Sequence, residues 1–148
     1  DKGGIRVISF DVYGTILCSG DHENAMPPRQ GFTEFILRAK NLGIKTVTSS
    51  DADLDNLHLD LSATFSGRTP FGIEVFDAFF QLSMRPKNYN EIIESFNIKP
   101  EELMIIGDNP INDFEGAPIH STKFLIPPYQ DGKDRFSFSE LLHLLNQH

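Results

Sequence analysis

Five short apolar runs punctuate the chain, and segments with helical spacing separate them. "IRVISF" (5–10) is apolar almost throughout, the pattern of a fully buried strand. "IKTVTS" (44–49) is rich in β-branched residues, which suit a pleated, buried surface. "DAFFQLS" (77–83), "ELMIIGD" (102–108) and "TKFLI" (122–126) complete the set. After the polar loop "CSGDHENAMPP" (18–28), Phe32, Phe35, Ile36 and Ala39 recur at i, i+3, i+4 and i+7. Pro28 precedes them and Gly43 follows, which predicts an amphipathic helix with both boundary signals. "DADLDNLHLDL" (51–61) can hold a short helix. Residues 62–77 carry no clear period, and "SGRTPFG" within them reads as irregular. Tyr89, Ile92, Ile93 and Phe96 return to helical spacing, with Asn88 as N-cap and Glu91 three residues on. "SFSELLHLL" (137–145) opens on a capping pair, Ser137 and Glu140, and predicts a last helix. Strand and helix thus alternate. That order implies a three-layer α/β/α, Rossmann-like fold: a central, mostly parallel five-stranded sheet with helices on both faces.

Length and charge narrow the field. A chain of 148 residues supports one domain with a real core, and no repeat, low-complexity tract or linker divides it. Residues 1–148 are therefore expected to form a single core domain. No apolar stretch approaches the roughly 18–20 residues of a membrane span, and the N-terminus has no signal-peptide pattern. The single cysteine, Cys18, cannot form an internal disulfide, so a reducing, cytoplasmic setting is expected. The net charge of −8 speaks against nucleic-acid binding, which needs a basic face. It leaves phosphate chemistry open if a cation accompanies the ligand. The Phe-rich stretch 71–80 reads as core rather than interface. The sequence does not specify an oligomeric state.

In such folds ligands bind beyond the carboxyl ends of the strands. Asp11 follows the first predicted strand; Thr48, Ser49, Ser50 and Asp51 close the second. Arg85, Pro86 and Lys87 follow the third; Gly107, Asp108 and then Asp113 follow the fourth. Each has an ordinary structural reading. Asp11 can cap a turn, Ser50 a helix, Lys87 can be a solvated charge, and Asp113 can open a helix. Their recurrence strand after strand points instead to one shared site. A carboxylate at the end of an apolar strand is costly without a partner.

These residues carry a resemblance. "FDVYGTI", the hydroxyls after "IKTV", "RPKNY" and "IIGDNPINDFEGA" are similar, in this order, to the four motifs of the haloacid dehalogenase superfamily. The resemblance runs from Ile5 to about Ile126. It implies that Asp11 is a nucleophile that attacks phosphorus, giving an aspartyl-phosphate that water cleaves. It implies Mg²⁺, with Asp11 and Asp108 as carboxylate ligands and the backbone carbonyl of Tyr13 as a third. Asp113 would be a further ligand or an orienting partner. A hydroxyl would donate to the phosphoryl group: Ser50 fits the count from Gly43, with Thr48 and Ser49 as rivals. The cation slot, usually a Lys before a Pro, offers Arg85 by position and Lys87 by residue type. The two are not equivalent.

One position departs from the family. Its phosphatases carry a second Asp two residues after the nucleophile, where this chain has Tyr13. A phenol with a pKa near ~10 is a poor proton donor at neutral pH, and losing a general acid–base group typically costs about 10²–10⁴ in rate. Three readings follow. The first is a Mg²⁺-dependent phosphatase with weak acid–base assistance, which favours leaving groups needing little protonation or recruits His22 or Glu23 from the next loop. The second is a 2-haloacid dehalogenase, which resembles this chain in Asp-x-Tyr-Gly-Thr and needs neither metal nor leaving-group protonation. The third is a degenerate binding protein, against which an intact acidic cluster counts. The eleven residues Cys18 to Pro28 are too few for the dehalogenases' helical cap, and 51–84 is too short for the larger cap type. An open site suits phosphate chemistry with a cation better than attack on an alkyl halide, where excluding water helps. The expectation is therefore a capless phosphatase with a phosphorylated, large substrate.

Overall fold

The computed structural model describes residues 4–20, 26–130 and 134–145. Its strands are β1 (Val7–Phe10), β2 (Lys45–Ser50), β3 (Ala78–Gln81), β4 (Leu103–Gly107) and β5 (Thr122–Leu125). They form one sheet in the order β3-β2-β1-β4-β5, and every pairing is parallel. The sheet is thus all-parallel rather than mostly parallel. Parallel neighbours need long crossovers, and α1 (Phe32–Asn41), α2 (Leu54–Phe65) and α3 (Asn90–Phe96) supply the first three.

β1 and β4 read as nearly unbroken apolar runs because each feeds two cores. Ile8, Phe10, Met104 and Ile106 enter the larger one with Phe32, Phe35 and Ile36 of α1 and Leu57, Leu61 and Phe65 of α2. Val7, Val47, Leu103 and Ile105 enter the smaller one with Tyr89, Ile92 and Ile98. Alternate residues of β1 and β4 therefore face opposite layers, as strand geometry requires. Phe10 meets Phe32 edge-on at 5.5 Å, with Phe76 at 6.2 Å. Phe76 and Phe80 are buried, so the Phe-rich stretch belongs to the interior.

Three elements differ from the sequence reading. α2 continues past Leu61 to Phe65, capped at its start by Asp53, whose Oδ1 accepts the Asn56 N–H at 3.0 Å. The fourth crossover is no regular helix but one wide turn, Pro110–Phe114. Pro110 and Pro118 bracket it, and Asp113 is turned inward, so the segment has no apolar stripe to lay on the sheet. The C-terminal capping pair forms, but it opens a tight 3-10 turn, Phe138–Leu141, that runs into α4 (Leu142–Leu145). Asn88 caps the turn before α3, accepting the Asn90 N–H at 2.9 Å. No helix among the described residues is long and apolar enough to cross a membrane.

Candidate active site

The chain steps from β1 to β2 to β3 on one side, then returns past β1 to place β4 on the other. The crevice beyond the carboxyl ends of β1 and β4 is the topological switch point, where such sheets bind ligands. Asp11 stands there. Its N–H bonds the Ile106 carbonyl at 2.9 Å, so the β1–β4 ladder holds the residue that leaves the sheet. Asp108 follows β4, and Asp113 comes from the wide turn. One carboxylate oxygen from each of the three lies within 4.8 Å of the others.

Lys87 ties two of these acids, Asp11 and Asp113, together. Its ammonium has three protons and uses them on three acceptors. It donates to Asp11 Oδ1 at 2.9 Å, Asp113 Oδ1 at 2.7 Å and the Ser49 carbonyl at 2.9 Å. The side chain is 2% exposed. Its backbone is anchored too: the Lys87 N–H donates to the Asn112 carbonyl at 2.9 Å, and the Tyr89 hydroxyl donates to the Asp113 carbonyl at 2.8 Å. The free oxygen of Asp113 accepts from the Asn109 N–H at 3.1 Å. The Thr15 hydroxyl donates to Asp11 Oδ2 at 3.1 Å.

Two glycines make room for the acids. A Cβ on Gly14 would lie 2.6 Å from Asp108 Oδ2, and Gly14 has a left-handed φ of 87° that L side chains rarely adopt. A Cβ on Gly107 would lie 2.6 Å from Asp113 Cγ.

Lys87 meets two of the three carboxylates, Asp11 and Asp113, and burial with their mutual charge sets Lys87 and these two acids away from their ordinary protonation. Burial pushes the Asp11 carboxyl up to about 6; Lys87 opposes this and Asp108 adds to it. Burial and the nearby Asp11 also raise Asp113, again against Lys87. Burial pulls the Lys87 ammonium down, but Asp11 and Asp113 outweigh it and hold its pKa above the ordinary lysine value. A charge-deficient, all-oxygen donor set of this kind fits a hard divalent cation such as Mg²⁺.

The other expected residues fall at varying distance from this centre. Ser50 ends β2, and its Oγ accepts the Ala52 N–H at 3.1 Å. The Ser49 hydroxyl is used inside the sheet, accepting from Ser9 Oγ at 2.6 Å and donating to the Phe10 carbonyl at 3.4 Å. The Thr48 hydroxyl is buried without a hydrogen-bond partner. Arg85 does not reach the acidic group: it is 72% exposed and pairs with Asp51 at 2.9 Å. The structure brings Lys87, not Arg85, to Asp11. The Tyr13 hydroxyl donates to Asp60 Oδ2 on α2. His22 and Glu23 lie outside the described residues.

Sequence reasoning missed Thr15, Tyr89 and Asp60. Thr15 had a local signal, four residues after Asp11. Tyr89 reads as a core aromatic, and Asp60, 47 residues from Tyr13, shows no signal at all.

No family model matches the chain, and no curated protein matches it in sequence. Solved structures do. One is the N-terminal part of a Bacteroides fragilis protein containing a phosphatase domain, complexed with Mg, at 17% identity and a TM-score of 0.71. The match covers 98% of this chain, which spans 41% of that one. A haloacid dehalogenase-like family hydrolase from Xanthomonas campestris is similar over 97% of both chains, at 13% identity and a TM-score of 0.69. A HAD family hydrolase from Deinococcus radiodurans with bound phosphate and sodium matches 97% of this chain and 89% of its own, at 14% identity and a TM-score of 0.63. At these identities the shared property is architecture: the chain has the fold of the haloacid dehalogenase superfamily hydrolases.

Proposed function

We propose that the protein is a Mg²⁺-dependent phosphatase acting through Asp11. The observation that carries this reading is the convergence of Asp11, Asp108 and Asp113 at the switch point of the sheet, with Lys87 bonded to Asp11 and Asp113. Asp11 and Asp108, with the Tyr13 carbonyl, would hold the ion, and Asp113 would orient Lys87. When bound, the ion would supply the positive charge that lets a carboxylate and a phosphoryl group meet.

The side chains divide the remaining work. Lys87 fixes one oxygen of Asp11, and Thr15 fixes the other. Asp11 forms a bond to phosphorus as the bond to the ester oxygen breaks, and the electron pair leaves with that oxygen. Water then attacks the phosphorus. The Asp11 carboxylate is regenerated, and both water protons depart on the inorganic phosphate. This splits one difficult step into two. Ser50 is the hydroxyl assigned to the phosphoryl group, since Ser49 is engaged in the sheet. Tyr13 gives weak assistance: a phenol near ~10 is a poor acid, and its proton is directed at Asp60. Leaving groups that need little protonation are favoured.

An uncapped site and a large substrate are part of this reading. Its support is that residues 11–20 and 26–31, between β1 and α1, contain no helix. A cytoplasmic setting remains the expectation from Cys18. The test is phosphate release from an aryl phosphate with Mg²⁺, run beside Asp11→Asn. Release by the wild type alone is expected; equal release by both would refute the assignment. Halide release from a 2-haloacid in chelator would favour the dehalogenase reading instead.

A further inference from the structure

Arg29 is a charge removed from water. Its side chain is 0% exposed, and its guanidinium lies 4.8 Å from the Phe136 ring centre and 5.4 Å from that of Tyr129. Nε donates to both oxygens of Asp134 at 3.2 Å, and Nη2 donates to one of them at 2.8 Å. Nη1 reaches the Gly14 carbonyl at 3.4 Å. A buried ion pair of this kind is weak evidence for stability, because apolar residues of similar volume often serve as well. Its geometry suggests a second role.

What the pair clasps is the loop that follows Asp11. The Gly14 carbonyl also accepts the Tyr129 N–H at 2.7 Å, and the Ser19 N–H donates to the Tyr129 carbonyl at 2.9 Å. The Arg29 N–H donates to the Ile16 carbonyl at 3.0 Å. The Tyr129 hydroxyl donates to the Pro27 carbonyl at 2.8 Å, two residues before Arg29. The segment after β5 is thereby laced to residues 14–19, and Arg29 with Asp134 closes the lacing. Gly14 is also the residue whose bare backbone lies against the Asp108 carboxylate. A shift of Gly14 therefore moves the wall beside Asp108, and with it the Tyr13 carbonyl.

We infer that Arg29, held by Asp134, is a positioning residue for the divalent-cation site. It touches neither substrate nor ion; it sets the Gly14 backbone against Asp108. The inference rests on the metal-site reading given above. Direct hydrogen-bond partners of metal ligands typically change affinity by about 10–100-fold when lost; Arg29 acts one residue further out, through Gly14, so the lower end of that range is expected.

Isothermal titration of Mg²⁺ alone into the full chain tests it, with Arg29→Met, Asp134→Asn and Ile98→Ala beside the wild type. Ile98 is buried in the smaller core, five residues before β4 begins, and serves as a control for lost stability. Arg29→Met and Asp134→Asn should weaken Mg²⁺ binding by about 10-fold or more, while Ile98→Ala binds as the wild type does. If Arg29→Met does not fold, Asp134→Asn decides. Unchanged affinity in a folded Arg29 or Asp134 variant overturns the role, as does an equal loss in Ile98→Ala. A wild type that binds no Mg²⁺ overturns the metal-site reading and this role with it.

Discussion

Asp11 is held in a state that favours its own protonation. Its carboxyl is raised to about 6 by burial, with Lys87 pulling the other way and Asp108 adding to the rise. An acid whose pKa is higher folded than unfolded binds its proton more tightly in the native state, so stability falls as pH rises from the unfolded value towards about 6. Above that window the penalty is fully present. A shift of this size corresponds to roughly 3 kcal/mol. In chelator near neutral pH, Asp11→Asn should therefore raise unfolding free energy by about 1–3 kcal/mol, a gain that vanishes below about pH 4. Urea unfolding at several pH values checks it, and a less stable variant at neutral pH would contradict it. Lys87→Met should do the opposite, because it strands Asp11 and Asp113 without their cation. A loss of about 3–5 kcal/mol is expected, shrinking on acidification as the two acids take up protons. Tyr13 makes a kinetic prediction. Tyr13→Asp should raise turnover of alkyl phosphates more than that of activated aryl phosphates, since only the former need an acid. Equal gains on both would show that protonation is not the limit.

At the scale of elements, close approach governs the site. The loop after β1 and the end of β4 can meet because Gly14 carries no side chain. Gly14→Ala sets a methyl against Asp108 and forces a left-handed residue, whose strain alone costs roughly 1–2 kcal/mol. Stability should fall by at least that amount, and Mg²⁺ titration should show weakened binding even in folded protein. Strands and most helices were readable because their signal is local. Two-sided burial makes β1 and β4 continuous apolar runs, and one-sided burial gives α1 its spacing. The wide turn at 110–114 was not readable as such. Its shape depends on Asp113 being drawn inward to Lys87, a contact across 26 residues. Arg85 and Lys87 were likewise indistinguishable locally. One faces Asp51 in water and the other the buried acids, a difference set by the path of the β3–α3 loop.

For the whole molecule, a cation held by the acidic cluster would couple its binding to folding. A ligand that binds only the native state stabilises it by mass action, about 2.7 kcal/mol at a hundred times its Kd. Mg²⁺ should raise the unfolding midpoint of the wild type, and Asp11→Asn should respond less; an equal response would place the ion elsewhere. The sequence alone determined the five strands, their alternation with helices and the set of acids beyond the strand ends, because periodicity and strand-end position are local properties. Only the tertiary structure decided which cation meets Asp11, that Tyr13 is directed to Asp60, and that Arg29 and Asp134 clasp the loop after Asp11. Those are contacts between residues far apart in the chain. Residue type shows what such groups can do, but packing in three dimensions selects which of them meet.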